Sequence, residues 1–165
     1  MVVELNGRQI SVNSQAMQML GDEAEQNFKT LDRSDIEKIH DLMIEMFGGS
    51  YGVRDAGLLE SACLSPYQNV FGQNLYPTIL DKAAKYAFDF ANYQIFIDGN
   101  KRTGLATMTA FLDINGYELN MSSEQQYFLM MDIANKRIDD PQTVSEILKQ
   151  HVKFAEMEAE MEPER

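Results

Sequence analysis

Apolar side chains recur every three or four positions through most of this chain, the repeat of helices with one buried face. Ile36, Ile39, Met43 and Met46 form the first stripe, with Asp32 or Ser34 placed to cap its start and Gly48-Gly49 to stop it. A second helix is expected from Asp55, as its cap, to Leu64, closed by Ser65-Pro66. The pattern resumes from Thr78 to about Tyr93, breaks, then returns with Leu105, Met108 and Leu112 on one face until Asn115-Gly116. Two more helices are expected, Ser122 to about Arg137 and Thr143 to about Met157. In the last, Val144, Ile147, Leu148, His151, Val152 and Ala155 share a stripe. The stretch SPYQNVFGQNLYP, 65–77, is bracketed by prolines around Gly72 and reads as a loop or short hairpin. Residues 1–12 alternate with period two around Asn6-Gly7, a strong hairpin signal, and a weak helix follows from Ser14 to about Asn27.

The pattern predicts an all-α fold: a compact bundle of about six helices, with a short hairpin at 65–77 and a β-hairpin at the N-terminus. Three segments are expected: an extension over 1–27, the helical domain over 28–157 and an acidic tail over 158–165.

Composition narrows the setting. The chain has 165 residues, the size of one domain with one core, and 44% of them are hydrophobic. No apolar run approaches the ~20 residues that cross a bilayer. The start, MVVELNGRQISV, lacks the basic and apolar regions of a signal peptide. Cys63 is the single cysteine, so no internal disulfide can form. A cytoplasmic protein with no membrane partner is expected. Fourteen Lys and Arg against 26 Asp and Glu give a formal charge of −12, a field that repels a nucleic-acid backbone. Five glutamates fall in the closing FAEMEAEMEPER, read as a solvated end, with a basic partner as the alternative. The 11 methionines are read as adaptable packing.

The break after Tyr93 carries the candidate chemistry. IFIDGNKRTGL, 95–105, leads from a loop into a helix, where unpaired N–H groups and the positive end of the dipole favour phosphate. Gly99 permits unusual backbone angles, and Asn100 tolerates them while offering an amide donor. Lys101 and Arg102 add charge, the arginine with a fork that matches phosphate oxygens. Asp98 suits magnesium, which favours a carboxylate together with substrate phosphates. A polar turn with a basic helix start explains the same residues without a ligand. GxxxxGK[ST] and the kinase signatures HRD and DFG are absent.

FIDGNKRTGL resembles the central motif of the Fic/Doc superfamily, and Lys101 resembles its Doc (death-on-curing) branch more closely than typical Fic proteins. The resemblance runs from about Leu31 to Leu119, with GVRDAGLLESA and DGNKRTG in order. It implies a compact Fic/Doc helical bundle that moves a phosphate-containing group from a nucleotide to a protein hydroxyl. Fic members usually transfer AMP; Doc members are toxins that phosphorylate elongation factor Tu with ATP. On the pattern H-x-F-x-[DE]-G-N-[GK]-R, Phe96 is the core anchor, and Asp98 the metal-binding carboxylate that also orients the substrate. Gly99, Asn100, Lys101 and Arg102 are the phosphate cradle. ATP and Mg²⁺ are the implied ligands. Lys101 replaces a second glycine of Fic enzymes and Leu105 their second arginine, both favouring phosphoryl over AMP transfer.

One departure touches the chemistry itself. Gln94 stands where the family carries its catalytic histidine, the general base. Glutamine hydrogen-bonds but cannot take up a proton near neutral pH. Three explanations stay open: a natural pseudoenzyme, a selected or engineered substitution, or another base such as Asp98. A non-catalytic module that binds nucleotide or antitoxin is the reading from a different class. His40 and His151 are read as packed histidines and Lys82 as a surface or second-shell charge; Arg54 is given a structural role. The resemblance makes 65–77 the flap, a hairpin that pairs with a target segment. It also implies a separate antitoxin, because the inhibitory [ST]-x-x-x-E-[GN] motif has no match here. Residues 1–27 have no family account; an edge strand for a homo-oligomer or for substrate docking is one reading.

Overall fold

The computed structural model describes residues 2–5, 8–11 and 27–154. The expected helix over 14–27 falls almost wholly outside them, as do the tail over 158–165 and residues 155–157. Six α-helices lie among the described residues: α1 (Arg33–Phe47), α2 (Ala56–Leu64), α3 (Ile79–Asn92), α4 (Asn100–Ile114), α5 (Ser123–Ala134) and α6 (Pro141–Lys149). Three antiparallel strand pairs accompany them: β1 (Val2–Leu5) with β2 (Arg8–Ser11), β3 (Asn69–Val70) with β4 (Gln73–Asn74), and β5 (Tyr117–Leu119) with β6 (Val152–Phe154). The first pair is the N-terminal hairpin, in register Val2 to Ser11. None of the described helices is long and apolar enough to cross a membrane.

Local chemistry fixes the helix starts. Asp32, Asp55, Thr78, Ser122 and Asp140 each accept a backbone N–H of the first turn through their side chains. At Asp32, Thr78 and Ser122 the return bond completes a capping box. Such a cap typically contributes about 1 kcal/mol.

α3 is the central helix. Ile79, Leu80, Ala83, Ala84, Tyr86, Ala87, Phe90 and Ala91 are all buried, and α4, α5 and α6 pack around them. Small residues let α3 and α4 approach closely: a Cβ added at Gly104 would sit 3.0 Å from the Phe90 Cβ and 3.1 Å from Met130 Cε. The Tyr67 and Tyr86 hydroxyls meet at 2.6 Å, and burial holds the Tyr86 phenol far above its ordinary range. Cys63 is buried in the same core, which pushes its thiol up to about 11 and leaves it protonated.

Two expectations are corrected. The last helix stops at Lys149 rather than near Met157, and Val152–Phe154 is a strand on Tyr117–Leu119, with the Tyr117 and Phe154 rings 4.3 Å apart. His151 therefore sits in the turn after the helix, its Nδ1 bonded to the Ile147 carbonyl at 2.8 Å. Lys82 is not a surface charge: it is buried, donating to the carbonyls of Tyr76 at 2.6 Å and Pro77 at 3.1 Å, with the Phe28 ring 4.5 Å away. It closes the far end of 65–77 onto the core.

Candidate active site

The loop between α3 and α4 is built from its backbone outward. Ile95 and Phe96 are buried, and the Phe96 ring stacks between Phe90, at 6.0 Å, and the imidazole of His40, at 3.8 Å. The preceding segment 52–55 clamps the loop. Arg54 and Asp55 N–H donate to the Ile95 carbonyl at 2.9 and 3.1 Å, and Ile97 N–H donates to Gly52 at 3.0 Å. Arg54 Nε donates to the carbonyl of Gln94 at 2.7 Å, confirming the structural role expected for it.

Asn100 also folds the loop it stands in. Its Oδ1 accepts Phe96 N–H at 2.8 Å and its Nδ2 donates to the Phe96 carbonyl at 3.0 Å. Both ends of the side chain thus help to fold the loop, while the second N–H of its amide and its backbone N–H remain for an anion. Gly99 has φ +78 and caps α4 without a side chain. The first-turn N–H groups of Asn100, Lys101 and Arg102 precede the first intrahelical bond, from Thr103 N–H to the Gly99 carbonyl at 2.9 Å. That leaves a helix start whose free N–H groups could take an anion, bordered by two exposed cations. Arg102 lies over the Phe47 ring, its Cζ 4.6 Å from the centroid.

Asp98 is exposed, yet its carboxylate is held in place. Oδ2 accepts Ser50 N–H at 3.2 Å and Oδ1 accepts Gly99 N–H at 3.0 Å. Gly49, at φ +116, makes room for it: a Cβ there would fall 2.7 Å from Asp98 Oδ2. Behind it, His40 Nε2 donates to the Asp98 carbonyl at 2.8 Å; a carbonyl can only accept, so this nitrogen carries the proton. A carboxylate has about four lone-pair directions, so two remain outward for a cation. No cluster of three metal-ligating side chains exists among the described residues. One carboxylate beside an anion site is the arrangement that suits magnesium bridged by substrate phosphates, so the residues present fit Mg·ATP.

The structure brings Gln94, Asp98, Gly99, Asn100, Lys101 and Arg102 onto one loop and helix start. Sequence reasoning missed the clamp from His40 and Ser50. The signal was available in GGSYG, 48–52, whose Gly48-Gly49 pair was read only as a helix stop although it also permits close backbone approach. His40 was correctly expected to be packed, but nothing in its spacing reveals the contact with residue 98.

A helical bundle carrying this loop defines a class: residues 30–112 match the Fic/DOC family. The chain is 37% identical over 111 residues to the protein named Toxin Doc of Mycolicibacterium smegmatis (strain ATCC 700084 / mc(2)155), covering 66% of this chain and 83% of that one. The chain belongs to the Fic/Doc family, and within it is similar to a Doc toxin.

Proposed function

We propose that this protein is a Doc-type toxin of a toxin–antitoxin pair, built to transfer the γ-phosphoryl group of ATP to a hydroxyl of a protein target, and slowed at that step by Gln94. The supporting observation is the carboxylate of Asp98, pinned by Ser50 and Gly99 beside the N-terminus of α4 and next to Lys101 and Arg102. The target is expected to be a translation factor such as elongation factor Tu, and the antitoxin a separate chain.

In this reading the backbone amides of α4 and the two cations hold the phosphates. Asp98 would hold magnesium, which when bound would neutralise phosphate charge. The target oxygen bonds to the γ-phosphorus, ADP leaves, and the hydroxyl proton must go to a base. Gln94 cannot accept it, and loss of a general base typically costs about 10²–10⁴ in rate. Asp98 is the nearest alternative base in sequence, at the expense of its metal role.

AMP transfer is the second reading. Against it stand Lys101, a bulky cation where Fic enzymes carry glycine, and Leu105 in place of their arginine. Parallel assays with γ-labelled and α-labelled ATP plus Mg²⁺, on elongation factor Tu and on whole lysate, separate the two. The chain is run beside Gln94→His. Transfer of γ-label by the histidine variant is expected. Transfer of α-label would make it an AMP-transferase, and no transfer by either protein, without nucleotide binding, would make it a non-catalytic binding module.

A further inference from the structure

The two opposite charges of the candidate site share one anchoring segment. Phe47 ends α1, Gly48 and Gly49 follow, and Ser50 N–H donates to Asp98 Oδ2 at 3.2 Å. At the other end of the same stretch, the Phe47 ring lies under the Arg102 guanidinium, whose Cζ is 4.6 Å from the ring centroid. Residues 47–50 therefore touch both groups, the carboxylate through a backbone amide and the cation through an aromatic face. Phe47 is 54% exposed, so core packing alone does not account for the ring.

Asp98 and Arg102 stand four positions apart across the start of α4, a spacing at which opposite charges commonly pair. Among the described residues neither of them makes an ion pair. Were they to pair, the guanidinium fork would close on the outward lone-pair directions of the carboxylate. The metal ligand and the phosphate fork would be lost in one contact. An aromatic face competes for the guanidinium without presenting a charge to neutralise it.

We propose that Phe47 is a positioning residue: its ring holds the Arg102 guanidinium on a neutral surface and off Asp98, so that carboxylate and cation stay separately available to metal and phosphate. The inference rests on the roles given to Asp98 and Arg102 in the proposed function. A cation–π contact at an exposed site is modest, which bounds the effect of losing the ring at about two- to fivefold in the ratio of free to paired carboxylate.

The test uses Mn²⁺ alone, which favours the same oxygen ligands as Mg²⁺. It needs neither nucleotide nor transfer, so its failure is distinct from failure of the proposed function. Mn²⁺ is titrated into the full isotope-labelled chain, following paramagnetic broadening of the Ser50 and Gly99 amides, with Asp98→Asn as the background from other carboxylates. The parent chain is expected to broaden above that background. Phe47→Leu should need about two- to fivefold more Mn²⁺ for the same broadening, while Phe47→Trp, which keeps an aromatic face, should not. In an Arg102→Gln background Phe47→Leu should change nothing, a result that a general loosening of the loop would not give. Without metal, the Arg102 Nε–H proton is expected to carry an upfield ring-current shift that Phe47→Leu removes. The proposal is overturned by an equal Mn²⁺ response in parent and Phe47→Leu, by a loss repeated in Phe47→Trp, or by one that persists without Arg102. Absence of the ring-current shift, or of any broadening above the Asp98→Asn background, overturns it equally.

Discussion

The motif loop and the flap lie on either side of α3, and they are held in opposite ways. From Gln94 to Asn100 the chain is fixed by side chains and backbone from α1, the 52–55 segment and α4 itself. The flap has strands of only two residues each, paired Asn69 to Asn74 and Val70 to Gln73, with Leu75 N–H donating to the Gln68 carbonyl at 3.0 Å and Asn69 Nδ2 to Asn74 Oδ1 at 3.1 Å. Phe71 at its tip is fully exposed with φ 50, a left-handed conformation that costs a residue other than glycine roughly 1–2 kcal/mol. The contrast matches the two tasks proposed for these regions. A phosphate site gains from donors fixed before the ligand arrives. A surface that meets another protein can leave its backbone edge and apolar tip open until the partner supplies the missing contacts.

The steepest way to break this contrast is to remove the loop's anchor. Phe96→Ala takes away a ring held between two others and is expected to cost about 3–5 kcal/mol in chemical denaturation, against little for Phe71→Ala. Asn100→Ala comes next. It leaves the Phe96 amide and carbonyl unpaired and should cost about 1–3 kcal/mol while also weakening nucleotide binding; loss of binding with stability intact would return Asn100 to a direct phosphate contact. Asp98→Asn should leave the fold unchanged, yet make ATP binding insensitive to chelation of Mg²⁺ in calorimetry. Phe71→Gly is the smallest: it relieves backbone strain, so stability should change by less than about 1 kcal/mol, while apparent affinity for the protein target falls. Amide exchange sharpens the same comparison, with Phe96 and Thr103 expected to exchange slowly and residues 69–74 rapidly.

Much of this was legible in the chain because the cues are local. Asp32, Asp55, Thr78 and Ser122 stand where caps belong, and 94–102 carries a motif whose spacing places a helix start under its cations. What was hidden depends on distant partners. Val152 fits a helical stripe as well as it fits a strand, and only pairing with Tyr117–Leu119 decides against the helix. Lys82 reads as either a surface or a second-shell charge until two loop carbonyls and an aromatic ring are seen to enclose it. At Asn100 the motif suggests an amide for phosphate, but spacing does not reveal that both ends of the side chain also close on Phe96.

The central claim is that the cradle is complete and only the base is missing. Calorimetric titration of Mg·ATP into the chain and into Gln94→His tests it most directly. The account expects saturable binding of equal affinity in both, because residue 94 contributes its carbonyl to Arg54 and not its side chain to the phosphate loop. Binding that appears only in the histidine variant, or in neither, would contradict it.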